Sequence, residues 1–219
     1  MTPIILLSLK VAIVAVLAAL PIAFALAWVL ARTQFPGKLL LDGLVHLPLV
    51  VPPVVTGWLL LLAFAADGPL GALSDVVLFR WTGAAIASAV MALPLMVRAM
   101  RLSIEGVDRR LENAARTLGA GRWRVFASIT LPLSLPGILA AAILGFARAL
   151  GEFGATITFV SNVPGETETL PLAIYAALQV PGSEGLVWQL AGVSVALSLT
   201  ALLASELLVR RAGRGRHAL

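Results

Sequence analysis

Five stretches of this chain are apolar and free of charged residues: residues 11–31, 43–66, 81–97, 125–147 and 185–205. A helix needs roughly 20 apolar residues to cross the hydrocarbon core of a bilayer. Only structures that satisfy their own backbone hydrogen bonds can cross, which leaves helices and closed barrels. Long runs without alternation argue against a barrel, whose strands alternate apolar and polar residues. Aromatic residues are also sparse, at 6%. The chain is 60% hydrophobic and 12% charged, with a mean hydropathy of +1.00, too little polar surface for a soluble domain. The expected fold is an all-α integral membrane protein. It forms one unit over residues 1–212, with no soluble domain or repeat, and a disordered tail over 213–219.

Charge bias orients the spans, because basic residues are retained on the cytoplasmic side. Residues 98–124 hold seven arginines against three acids. Arg210, Arg211, Arg214 and Arg216 crowd the tail, whereas residues 161–188 carry Glu166, Glu168 and Glu184 and no base. Arg32 and Lys38 place the first loop inside. Five spans satisfy all of these, with the N-terminus out and the C-terminus in. The net charge of +5 lies beside the spans and is no footprint of nucleic acid. Ala23-Phe24-Ala25 looks like a leader cleavage site, but the run lacks a basic start and is too long, so cleavage is not expected.

The fourth span is the least regular. Trp123, Phe126, Ala127 and Thr130 recur at amphipathic spacing. Pro132 and Pro136 then break or start helices. The expected division is an interfacial piece over 123–131 and a span over 136–160, which buries Arg148 and Glu152 in the membrane. A short apolar piece at 169–180 is too short to cross and is expected at the external surface, interfacial or partly inserted.

Between the third and fourth spans lies a polar loop, about 102–131. Leu111, Ala114, Ala115 and Leu118 fall at i, i+3, i+4 and i+7, on one helix face. Arg109, Arg110, Glu112 and Arg116 lie elsewhere on the wheel. Gly119 can end the helix in the left-handed conformation. Small alanines on an exposed face admit another surface closely. The plain alternative is a solvated basic loop that obeys the charge rule.

The spacing is more specific than that. Ala114-Ala115, three residues, Gly119, nine residues, Ile129, one residue, Leu131-Pro132 resembles the cytoplasmic docking motif of ABC importer permeases. Asn113 departs from it, standing where the family has glutamate, with the carboxylate displaced to Glu112. The stretch from Phe146 through Arg148, Gly151, Glu152 and Gly154 to Val160, continuing to Thr167, is similar to the molybdate-transport branch. So are Phe35-Pro36-Gly37-Lys38 and His46 to Val55. Sulfate-type permeases resemble the chain around Arg148 to Glu152 and differ after Gly154.

The resemblance implies a type I ABC importer core of five transmembrane helices with a cytoplasmic coupling helix, in a bacterial inner membrane. It implies a homodimer around a pathway for molybdate or tungstate. It also implies a separate ATPase subunit, which holds the ATP and Mg, and an external oxyanion-binding protein. The docking residues would be Leu111, Glu112, Asn113, Ala114, Ala115, Leu118 and Gly119. A sulfate-type permease is the alternative cargo reading.

A channel or a membrane-embedded enzyme is the alternative class, and the residues speak against the enzyme. A phosphate-binding loop needs glycines before a Lys-Ser/Thr pair. The two lysines are Lys10, with no glycine near it, and Lys38, followed by Leu39. The chain is expected to bind no ATP or other cofactor itself. There is no cysteine. His46 has no evident catalytic partner and reads as a structural residue. Asp67 and Asp75 are isolated, so no metal site is expected.

Arg148 and Glu152 are four apart and share a helix face. Charges inside a membrane are costly and point to function by default. Either the two pair to fix helix packing, or Arg148 attracts an oxyanion while Glu152 orients it. The self-neutralising pair favours packing. Gly151 and Gly154 would let a neighbouring helix approach. Thr156 and Thr158 offer hydroxyls to a pathway or to backbone carbonyls. Pro48, Pro52 and Pro53 interrupt the second span and are pathway neighbours.

Overall fold

Along the first helix, Ala12, Ala15, Ala19, Ala23 and Ala27 recur every three or four residues, and all five are buried. Small residues at that spacing let helix backbones approach closely where lipid supplies no hydrophobic drive. This helix, α1 (Thr2–Arg32), packs Ala19, Ala23 and Ala27 mainly on α5 (Trp81–Glu105), while Ala12 and Ala15 meet Ala149 and Leu150. The core lies between α1, α5 and α8 (Leu131–Leu150), where Met96, Val97, Met100 and Ile104 of α5 are fully covered. A computed structural model describes residues 1–214.

The other elements, in chain order, are α2 (Lys38–Val50), α3 (Pro53–Phe64), α4 (Ser74–Val77), α6 (Arg109–Thr117) and α7 (Arg122–Val125). They are followed by α9 (Gly154–Val160), α10 (Leu170–Leu178) and α11 (Glu184–Arg214). No strand occurs among the described residues. Four helices are long and apolar enough to cross a membrane: α1, α5, the stretch Arg122–Leu150, and α11 over Glu184–Ala201. The pair α2 and α3 passes the same test only when taken together, as a broken span or a re-entrant loop bent by 113° at Val51 and Pro52. Pro53 starts α3 in the first turn, where a missing N–H goes unneeded. Pro48 does not interrupt α2, but lies inside it.

The fourth span differs from expectation. Pro136 starts no helix, and the chain is helical without a break from Arg122 to Leu150. Pro132 occupies the first turn of α8, and the preceding turn, Phe126–Thr130, widens to π geometry. Prolines are accommodated in membrane helices by such local adjustments and by hydroxyls that bond freed carbonyls. Separately, the Ser134 hydroxyl donates back to the Thr130 carbonyl of the π turn at 2.8 Å. The real break comes later, at residues 151–153, between α8 and the short helix α9. The apolar piece expected at 169–180 is α10. It packs on α11 and is fastened to α1 where the Leu170 N–H donates to Ser8 Oγ at 2.7 Å. Of the expected tail, Gly213 and Arg214 belong to α11, and 215–219 lie outside the described residues.

Candidate functional site

The loop between α5 and α8 folds as a short helix, a turn and a second helical piece. Asp108 caps α6, its carboxylate accepting the Arg110 N–H at 2.8 Å. Such a cap satisfies one of the free N–H groups at a helix start. Gly119 ends the helix with φ +85°, in the left-handed region that favours glycine. Leu111, Ala114 and Leu118 are exposed and Ala115 is half-buried, so the apolar face of α6 turns away from the protein. Leu118 is 89% exposed, and Trp123, on α7, is 83% exposed.

Glu112, placed by the resemblance among the docking residues, is buried in this chain, with its carboxylate turned toward α1 and α8. Its Oε1 accepts from Arg32 Nη2 at 2.8 Å and from the Thr130 hydroxyl at 2.6 Å, and Oε2 faces Arg32 Nη1 at 3.4 Å. One carboxylate therefore ties α6 to the last turn of α1 and to the π turn before α8. Asn113, one residue on, is exposed but borders the cleft behind α6 instead of the apolar face. Sequence reasoning used Arg32 only as a marker of topology and missed its pairing. The signal was present in part: an acid on the inward side of an arginine-rich helix needs a base to face.

The second candidate region is the break at 151–153. Gly145 faces Met96, Val160 faces Gly83, and Ala149 and Leu150 cluster with Ala89. The break is thus level with the middle of α5, deep in the membrane-spanning bundle. Arg148 Nη1 lies 2.5 Å from Glu152 Oε2 across it. Glu152 Oε1 accepts the Ala155 N–H at 2.8 Å, satisfying the start of α9. The Glu152 side chain is 1% exposed and that of Arg148 is 26% exposed. Irregular backbone survives at this depth only where protein or a wet cavity covers it.

The two interrupted spans meet here. A Cβ on Gly154 would come within 2.8 Å of the Pro53 Cβ, and one on Gly57 would collide with the Ala155 backbone. The starts of α3 and α9 therefore touch. Gly151 faces no neighbouring helix closely, unlike Gly154. Thr158 donates to the Gly154 carbonyl at 2.9 Å, whereas the buried Thr156 hydroxyl has no partner among the described residues. His46 is structural in its contacts. Its Nδ1 lies 2.8 Å from the Asp42 carbonyl oxygen, and Asp42 Oδ2 pairs with Arg101 Nη1 of α5 at 3.1 Å. No group of three or more His, Asp or Glu suited to a metal occurs among the described residues.

With this geometry in place, relatives are informative. Residues 19–214 match the family described as binding-protein-dependent transport system inner membrane component. The molybdenum transport system permease protein ModB of Escherichia coli K12 is 58% identical over 96% of both chains. The sulfate transport system permease protein CysT of the same organism is 38% identical over 86% of this chain and 69% of its own length. A chain of the MetNI methionine ABC transporter, solved in inward-facing conformations, superposes with a TM-score of 0.76. It is 16% identical and covers 94% of this chain and 93% of its own, a likeness of fold alone. The chain belongs to the family of inner membrane components of binding-protein-dependent transport systems.

Proposed function

We propose that this chain is the membrane-spanning permease subunit of a molybdate importer. The observation that carries the reading is the 58% identity to a molybdenum permease along nearly the whole of both chains. Sulfate permease likeness is weaker and shorter, which ranks sulfate second.

In this reading the apolar face of α6, with Leu111, Ala114, Ala115, Leu118 and Gly119, docks on a separate ATPase subunit. The permease binds no cofactor, and ATP with Mg belongs to that partner. Glu112 then works as a positioning residue. It makes α6, the end of α1 and the foot of α8 move together when the ATPase moves. The break at 151–153 and the bent pair lie along the pathway, where Arg148 stays neutralised by Glu152. A second copy completes the walls, since an arginine about a quarter exposed at mid-depth must face protein or water and not lipid. An external oxyanion-binding protein delivers the cargo to the end bearing Glu166 and Glu168. The N-terminus lies outside and the loop end inside.

The test is uptake into vesicles holding the permease, its ATPase and its binding protein, with ATP inside the ATPase compartment. Molybdate accumulation that depends on ATP, with tungstate competing and sulfate not, is the expected result. Preferential sulfate uptake would transfer the assignment to the second reading. Solute flux without ATP would indicate a channel.

A further inference from the structure

Helix α6 has a second face. Arg109, Glu112, Asn113 and Arg116 also fall at i, i+3, i+4 and i+7, and all four line a cleft of about 420 Å³ on its inward side. The far wall is the last turn of α1, with Trp28 and Arg32, and the near-continuous stretch from Arg122 to Thr130. The cleft holds four arginines, Arg32, Arg109, Arg116 and Arg122, against one acid. That acid is spent, because Glu112 already accepts from Arg32 and Thr130. Arg109, Arg116 and Arg122 have no acidic partner among the described residues. The Arg32 Nε is buried without a hydrogen-bond partner.

We propose that this cleft binds the phosphate headgroup of an anionic phospholipid from the adjoining leaflet. Four arginines around one spent carboxylate call for an anion, and guanidinium forks suit phosphate oxygens. The height of the cleft selects lipid over a free anion. Arg32 ends a helix that crosses the membrane, and Trp28 lies one turn deeper. Trp28, Phe24, Phe126 and Trp123 form a ring cluster there, with Trp28 and Phe126 centroids 5.1 Å apart. Aromatic residues gather at the headgroup level of a bilayer. Basic pockets between helices on the cytoplasmic side receive anionic headgroups. Trp28, Val125 and Phe126 give the cleft an apolar wall for the glycerol and upper acyl chain. The ATPase is not its occupant, because the face of α6 proposed for that docking is the opposite one. A headgroup held here braces α6 against α1 beside the Glu112 tie. The inference rests on the chain crossing a membrane and on the proposed docking face, but not on which oxyanion is carried.

The experiment uses the full transporter complex in nanodiscs, either of phosphatidylcholine alone or with phosphatidylglycerol, followed by native mass spectrometry of retained lipid. One phosphatidylglycerol per permease chain should remain on the wild type, with no matching retention of phosphatidylcholine. The double variant Arg116→Gln, Arg122→Gln alters two exposed side chains and should lower retention about thirtyfold, given about a fivefold loss per arginine near a charged surface. Asn113→Asp, which puts a rival carboxylate in the cleft, should lower it independently. Arg110→Gln, outside the cleft, should change nothing. Equal retention in the double variant and in Asn113→Asp overturns the proposal, as does equal binding of phosphatidylcholine. Displacement of the lipid by millimolar inorganic phosphate or molybdate would assign the cleft to a free anion and overturn it too. So would efficient cross-linking of a cysteine at Arg116 to the ATPase. Loss of molybdate uptake with these lipid results intact would count against the cargo reading alone.

Discussion

Glu112 and Asn113 are adjacent and have opposite surroundings, which makes them a sharp pair for mutation. Glu112→Ala removes the partner of a mostly buried arginine, and stranding such a charge costs about 3–5 kcal/mol. A markedly lower melting temperature of the detergent-purified complex is the expected outcome. Asn113→Ala removes an exposed amide and should stay within about 0.5 kcal/mol. Equal effects of the two would show that the Arg32–Glu112–Thr130 cluster does not hold α6. Gly119 supplies a different test. A Cβ there would meet nothing within 4 Å, so only its φ of +85° resists substitution. Gly119→Val should cost about 1–2 kcal/mol of local strain. The permease should still fold, while ATP hydrolysis by the docked ATPase should no longer drive uptake fully. Normal uptake at normal assembly would remove Gly119 from the docking surface.

Among the elements, the broken fourth span was only partly legible. The sequence shows two prolines early and a glycine pair late, and local rules favour a break at the prolines. The structure breaks the helix at the glycines instead. Pro132 falls in a first turn and a widened turn precedes it, so helix geometry passes through Pro136. At 151–153, the Glu152 carboxylate that pairs with Arg148 also accepts the Ala155 N–H in the first turn of α9. The spacing of four between Arg148 and Glu152 was readable without the break being so. A double-mutant cycle measures the pair. Arg148→Met and Glu152→Gln should each lower folded yield, a stranded central charge costing about 3 kcal/mol in a membrane helix. The double variant should recover most of the yield. A double variant that folds no better than either single one would refute the pairing. Recovery of fold without recovery of molybdate uptake would place Arg148 on the pathway as well.

For the molecule as a whole, the orientation is the property most open to direct test. The chain has no cysteine, so single cysteines can be introduced on a clean background. A cysteine at Gly165 should react with an impermeant thiol reagent added outside, and one at Gly121 should react only after the membrane is opened. Both positions tolerate a side chain sterically, with nothing within 4 Å of the added Cβ. The φ of +79° at Gly165 makes that variant mildly strained, and Ser161 in the same loop already adopts positive φ. The reverse labelling pattern would overturn the topology. The all-helical membrane class, the location of the polar loop and the face of α6 left apolar all followed from the sequence. Each depends on lipid thickness, charge placement or helical periodicity, which act on neighbouring residues. What only the tertiary structure decided joins residues far apart in the chain. Arg32 meets Glu112 across 80 positions, the start of α3 meets the start of α9, and Arg109, Arg116 and Arg122 converge on the end of α1. Such meetings are set by how helices pack and where they bend, and no local pattern in one segment records which distant segment will complete it.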